Sequence, residues 1–353
     1  MCNTSLHTFL AALPKAEHHM HLEGSLEPEL LFELAAKHDV TLPSTDPAFA
    51  SPAALRQRYD NFQNLDDFLG YYYIGMSVLI EGSDFEALAY AYFTKAASQN
   101  VRHAEVFFDP QAHTSRGVEL STIVESFKRA QARAETDFGM TTQLIMCFLK
   151  HLPLSGALET FAQAKDEGFF ADGSLAAIGM DSSELPFPSP MWKDVYAAAK
   201  ESGIRRTIHA GEEGPAHYVT QALDILDAQR IDHGIRALME GDDELISRLA
   251  SSKTLLTTCP ISNVKLQCIP SIAAFPLKKL IAAGVRFSIN SDDPAYFGGY
   301  IQENYCALQE SFDLSVGEWE TIAKGSILGS WCSEERKTQL LNEIDEVVNE
   351  HSN

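Results

Sequence analysis

From residue 101 onward, short apolar runs alternate with longer amphipathic ones. The apolar runs are rich in β-branched and aromatic residues. They predict strands at Arg102–Phe108, Thr141–Phe148, Leu175–Met180, Arg205–His209, Arg230–His233, Thr254–Thr258 and Arg286–Asn290. The runs between them predict helices at Leu120–Thr136, Leu154–Glu167, Met191–Gly203, Tyr218–Gln229, Asp242–Ala250 and Ile272–Ala283. Gly203 and Gly284 fall where a left-handed C-cap is expected. An eighth strand comes first in the chain and runs out through Glu17-His18-His19-Met20-His21-Leu22-Glu23-Gly24.

Residues 25 to 100 read mainly as helix. Leu26, Leu30, Leu31, Leu34 and Ala35 follow helical spacing, and a turn-rich patch surrounds Pro43 to Pro47. An aromatic stretch follows (Phe62, Phe68, Tyr71, Tyr72, Tyr73), then an apolar helix from Phe85 to Ala97. This stretch is far longer than an ordinary strand-to-helix loop. It reads as a lid, a pocket wall or a packing subdomain. Eight strand–helix alternations predict one parallel (β/α)8 barrel of the TIM type over residues 1–353, with the helical insertion at 25–100 after the first strand. An open doubly wound sheet is the competitor, but no G-x-G-x-x-G follows an early strand.

Composition narrows the function classes. The chain has 353 residues, 45% of them hydrophobic, and one barrel routinely uses that length. The formal net charge of −22 repels a phosphate backbone, so nucleic acid is excluded as a partner. No stretch approaches a membrane span or a secretory signal: Phe9 to Leu13 is too short and stops at Pro14. Six scattered cysteines without a C-x-x-C pair suit free thiols in a reducing compartment. A cytoplasmic location is expected, with nuclear access open; monomer and dimer are both compatible with the sequence.

Functional groups of such barrels sit at the C-terminal ends of the strands. Strand one ends in His19-Met20-His21; residues two apart share a face, so both imidazoles project together. Strand two ends in Phe108-Asp109-Pro110, strand four in Asp181-Ser182-Ser183, strand five in His209-Ala210-Gly211-Glu212, strand six in Asp232-His233, and strand eight in Asp292-Asp293-Pro294. His19, His21, His209 and Asp292 together offer three imidazoles and a carboxylate. That set suits one borderline cation such as Zn²⁺, with a position left for water. Strand four offers no lysine to bridge a second ion, which favours a single metal. His233 is placed to take a proton from the water, and Glu212, three residues past His209, to hold a proton as a donor in a dry pocket. Asp293 either serves the substrate or caps a turn before Pro294.

The blocks "EHHMHLEGSLEP", "IHAGEE", "RIDHG" and "INSDDPAYFG", in this order and at these spacings, resemble the signatures of the adenosine/adenine deaminases of the amidohydrolase superfamily. The resemblance spans nearly the whole chain. It implies one zinc on His19, His21, His209 and Asp292. It implies that Glu212 protonates purine N1, that His233 assists attack on C6, and that Asp293 contacts the attacking oxygen or N7. "HLEGSLEP" and "AEVFFDPQAHT" resemble the adenine-type members; adenosine-type members more often read "HLDG". The implied reaction is hydrolysis of adenine to hypoxanthine and ammonia in purine salvage, with adenosine or an N6-substituted adenine as variants. On this reading Glu23 helps fill space a ribose would occupy, and Ser182 or Ser183 meets the purine.

Two other classes remain. One is a different metal hydrolase on the same scaffold, which two metals per chain would favour. The other is a non-catalytic binding protein, which loss of a ligand would mark. The nucleic-acid deaminases pair H-x-E with P-C-x-x-C. His103-Ala104-Glu105 matches the first half and nothing matches the second.

Overall fold

Eight parallel strands pair in sequence order. In this computed structural model, which describes residues 4–351, they are β1 Lys15–Glu17, β2 Val101–Phe108, β3 Thr141–Leu149, β4 Ala177–Asp181, β5 Arg205–Ala210, β6 Arg230–His233, β7 Leu255–Thr258 and β8 Phe287–Ile289. Nearly every strand residue is buried, as expected of strands covered on one face by helices and on the other by the barrel interior. The barrel closes beyond the regular strands: the His21 N–H donates to the Asp292 carbonyl and the Asp292 N–H to the His19 carbonyl, both at 3.0 Å.

The first strand is shorter than its sequence pattern predicts. Regular pairing stops at Glu17, and Met20 and His21 are held instead by isolated bridges to Asp292 and Phe107. The histidine pair therefore sits just past the strand, stitched between two neighbouring strand exits. The other strands lie within two residues of their expected bounds, and Gly203 and Gly284 have positive φ.

Three helical runs differ from expectation. Pro276 splits the run at 272–283 into a 3₁₀ turn, Ile272–Ala274, and a helix, Leu277–Ala283. The run at 218–229 ends at Asp224, and that at 191–203 becomes a 3₁₀ turn, Ser189–Trp192, before the helix Lys193–Glu201. One-turn helices that periodicity did not show follow four strands. Three of them, Pro110–Thr114, Pro260–Lys265 and Pro294–Phe297, begin at a proline, whose fixed φ suits a first helical position.

The 25–100 stretch folds as helices Pro28–Lys37, Pro52–Tyr59, Leu65–Met76 and Gly82–Ser98. The last packs on the helix Leu120–Phe138 as part of the outer ring. The third lies over the end of the barrel where the strands finish. At the opposite end, Trp331 follows the helix Val316–Gly329 and closes the interior. Arg230 stacks there on the Trp331 ring at 3.7 Å and pairs with Glu105 at 2.6 Å. Glu105 also accepts from the Trp331 N–H and lies 3.0 Å from His103 Nε2. These contacts give Glu105 a structural role, away from any catalytic one. Among the described residues, no helix is long and apolar enough to cross a membrane. None of the five described cysteines is in a disulfide; Cys2 lies outside the described residues.

Candidate metal centre and substrate cleft

His19, His21, His209 and Asp292 converge, buried, with ligand atoms all within 4.8 Å of one another. His19 Nε2 lies 3.1 Å from Asp292 Oδ1, and His21 Nε2 lies 3.5 Å from the same oxygen. His21 Nε2 and His209 Nε2 approach to 3.3 Å. The other ring nitrogens explain why these four face inward. His19 Nδ1 reaches the Thr257 carbonyl at 3.0 Å, while His21 Nδ1 and His209 Nδ1 face Asp181 and Asp232, each at 3.4 Å. Asp232 is itself held by the hydroxyls of Thr207 and Thr257. An acceptor facing each Nδ1 favours the tautomer protonated there, which leaves the Nε2 lone pairs pointing at one another. Lone pairs converging on a carboxylate oxygen in a dry pocket repel unless a cation lies between them. The donor set therefore fits a divalent metal of the N/O-binding kind.

Asp292, His233 and Ser182 adopt left-handed backbone, with φ of 65°, 59° and 71°. That conformation is uncommon outside glycine and clusters at functional sites. Here it turns the chain sharply as each strand ends, so that consecutive side chains diverge. Asp292 faces the histidines while Asp293 faces the cleft.

The cleft, of about 380 Å³, lies directly above the four donors. Glu212, His233 and Asp293 all line it. Glu212 Oε2 is 3.5 Å from His233 Nε2. Burial, followed by the charge of Asp292, pushes the Glu212 carboxyl well above its ordinary pKa. The same two causes act on Asp293. Burial, then the charge of His19, holds His233 well below the ordinary imidazole value, so it is neutral and able to accept a proton. Asp293 makes no side-chain cap on the helix that follows it, which removes the turn-cap reading. Gly24 makes room for it: a Cβ there would lie 2.1 Å from Asp293 Oδ1.

Glu184 positions Glu212. Its carboxylate accepts the backbone N–H groups of Gly211, Glu212 and Gly214 at 2.9–3.0 Å, gripping the whole loop. A Cβ on residue 214 would lie 2.2 Å from Glu184 Oε2. Behind this loop the buried Lys150 Nζ donates to the His209 carbonyl.

Asp109, Asp181, Ser182 and the aromatic wall of Phe68, Tyr72 and Tyr73 also line the cleft; of these, sequence gave Asp109 and Asp181 no assigned role. Of the two strand-four serines, Ser182 faces it, whereas Ser183 turns away to Asp66. Glu23 does not fill the cleft. Its Oε1 accepts the Asp109 N–H at 3.1 Å and contacts His113 Nε2 at 2.9 Å, so its extra methylene serves a buried brace beneath the site.

Known proteins resemble the chain over nearly its whole length. The adenosine deaminase family profile matches residues 14–347. The adenine deaminase of Schizosaccharomyces pombe is 55% identical over 352 residues, covering 100% of this chain and 95% of that one. That of Saccharomyces cerevisiae is 49% identical over 98% of each. Among solved structures, adenine deaminase from Arthrobacter aurescens superposes with a TM-score of 0.89 at 43% identity, covering 96% of this chain and 99% of that one. An amidohydrolase with bound zinc from Burkholderia ambifaria gives 0.87 at 26% identity, covering 98% and 95%.

Proposed function

The chain belongs to the adenosine deaminase family, and from that premise we propose that it hydrolyses adenine to hypoxanthine and ammonia. The observation that carries this reading is the convergence of four donors beneath a cleft whose lining holds Glu212, His233 and Asp293.

His19, His21, His209 and Asp292 would hold one Zn²⁺. When bound, the ion supplies Lewis acidity that lowers the pKa of a water toward ~7. The chain's own groups do the rest. Glu212 gives its proton to ring N1, which withdraws electron density from C6. His233 accepts the proton of the attacking water, whose oxygen forms the new bond at C6. The C6–N6 bond then breaks, the proton held by His233 leaves with the amino group as ammonia, and the proton still on the C6 oxygen returns to Glu212 as the carbonyl forms. Asp293, protonated, donates to N7 and turns the ring so that C6 lies over the four donors. The aromatic wall of Phe68, Tyr72 and Tyr73 excludes water from the purine face.

An ultraviolet assay comparing adenine, adenosine and an N6-alkyl adenine tests this directly. Adenine should turn over fastest by a wide margin. A comparable or higher kcat/KM on either of the others overturns the substrate assignment.

A further inference from the structure

The order of strands around the cleft matches the order of atoms around a purine. Glu212 follows β5, Ser182 follows β4, Leu149 ends β3, Asp109 follows β2, and Asp293 follows β8, with β1 between the last two. Walking the edge of adenine from N1 passes C2, N3, C4, N9 and C8 before N7. With N1 at Glu212 and N7 at Asp293, and C6 over the four donors, the N3 edge lies at Ser182 and the N9 edge comes round to Asp109.

Asp109 is built for a ligand. It is buried, and its Oδ1 has no hydrogen-bond partner. Its Oδ2 receives a long bond, 3.4 Å, from the Tyr72 hydroxyl, and its carboxyl lies against that of Asp181, another acid. Its backbone is clamped by Glu23, which His113 holds in turn. It also repeats the local geometry of Asp293. Both follow a strand, both precede a proline that opens a one-turn helix, and neither caps that helix. Their backbone angles agree closely: φ −111° and ψ 79° at Asp109, φ −117° and ψ 74° at Asp293. The barrel thus presents two equivalent carboxyls across the cleft, one at each end of the imidazole ring of a bound purine.

The geometry points to Asp109 as the residue that accepts the N9–H of the free base and so excludes nucleosides. This rests on the reaction proposed above. A nucleoside has no hydrogen on N9, and its C1′ would meet the Asp109 carboxyl. The buried oxygen would be left unpaired, which sites built for a substrate N–H punish severely.

The test uses the metal-loaded enzyme and compares kcat/KM for adenine with that for 9-methyladenine, the smallest N9-blocked substrate. The wild type should favour adenine by roughly 10⁴-fold. Asp109→Ala, which removes the acceptor and opens space, should shrink that ratio by about 10²-fold or more, losing on adenine and gaining on the methylated base. A ratio unchanged within about threefold overturns the proposal. A second measurement needs no variant: hypoxanthine should inhibit the wild type about 10²-fold more tightly than 9-methylhypoxanthine, and equal inhibition overturns the proposal. A wild type inert toward adenine overturns both this inference and the proposed reaction. An active wild type with an unchanged ratio in Asp109→Ala overturns Asp109 alone.

Discussion

At the end of the barrel where the strands begin, Glu105 and Arg230 are fully buried, 2.6 Å apart, and sealed under Trp331. At the end where they finish, Asp109, Asp181, Glu212, Asp292 and Asp293 are as deeply buried, yet among the described residues no lysine or arginine lines the cleft they share. One end matches acid with base and fills the space between. The other gathers acids and imidazoles around an opening with no lysine or arginine among its described lining residues. Burial of charge is costly at both ends. The difference is that only the first repays that cost internally. A fold keeps an uncompensated cluster where a ligand completes it, which is why the upper end reads as the site and the lower as a plug.

Mutations on either side should separate the two roles. His209→Ala removes a metal ligand and should lower kcat/KM on adenine by on the order of 10⁴-fold, measured alongside bound metal, with the fold retained by circular dichroism. Arg230→Ala leaves Glu105 buried without its permanent counter-charge, held only by His103 and the Trp331 N–H. It should cost about 3–5 kcal/mol in urea unfolding while kcat/KM of the folded enzyme stays within a few-fold of the wild type. If Arg230→Ala instead abolished activity at unchanged stability, the division between the ends would be wrong. Glu212→Gln keeps the shape but cannot release a proton to N1, and steady-state kinetics should show a loss of on the order of 10²-fold.

The smallest effect is one of pH. Burial pushes the Glu105 carboxyl up, but the charge of Arg230, the hydrogen bond to His103 and the nearby charges of His18 and His103 together outweigh it and hold it well below the ordinary carboxylate range. A group depressed in the folded state contributes stability that is present above its unfolded pKa, about 4.3 for Glu, and is lost as pH falls toward its folded value. The unfolding midpoint of the wild type should therefore drop below about pH 4.3, by at most ~1.4 kcal/mol per pH unit from this group. That part of the slope should vanish in Glu105→Gln.

The upper end was the more legible of the two in the sequence. Its ligands lie at strand exits, and alternation of apolar runs shows where strands exit; His19, His21, His209 and Asp292 followed from that alone. Asp109 carried the same Asp-Pro signature as Asp293, but a strand exit does not reveal which way its side chain turns. Glu184 was hidden because it works on backbone 27 residues away. The Glu105–Arg230 pair joins residues 125 positions apart, which no local pattern encodes. The one-turn helices were missed because five residues are too few for a helical period to show. Glu23 was read as a cleft residue because its motif adjoins the metal pair; the 3₁₀ turn Glu23–Ser25 carries its carboxyl instead to Asp109 and His113.

The most direct test of the account is the metal content of the gently purified wild-type protein, by elemental mass spectrometry against protein concentration. One divalent ion per chain is predicted, held by His19, His21, His209 and Asp292. Two ions per chain would place the second among His21, Asp109 and Asp181, the neighbouring set of donors. That would contradict both the single-metal chemistry and the role given to Asp109. Less than about a tenth of an ion per chain in a fully active preparation would contradict the metal site itself.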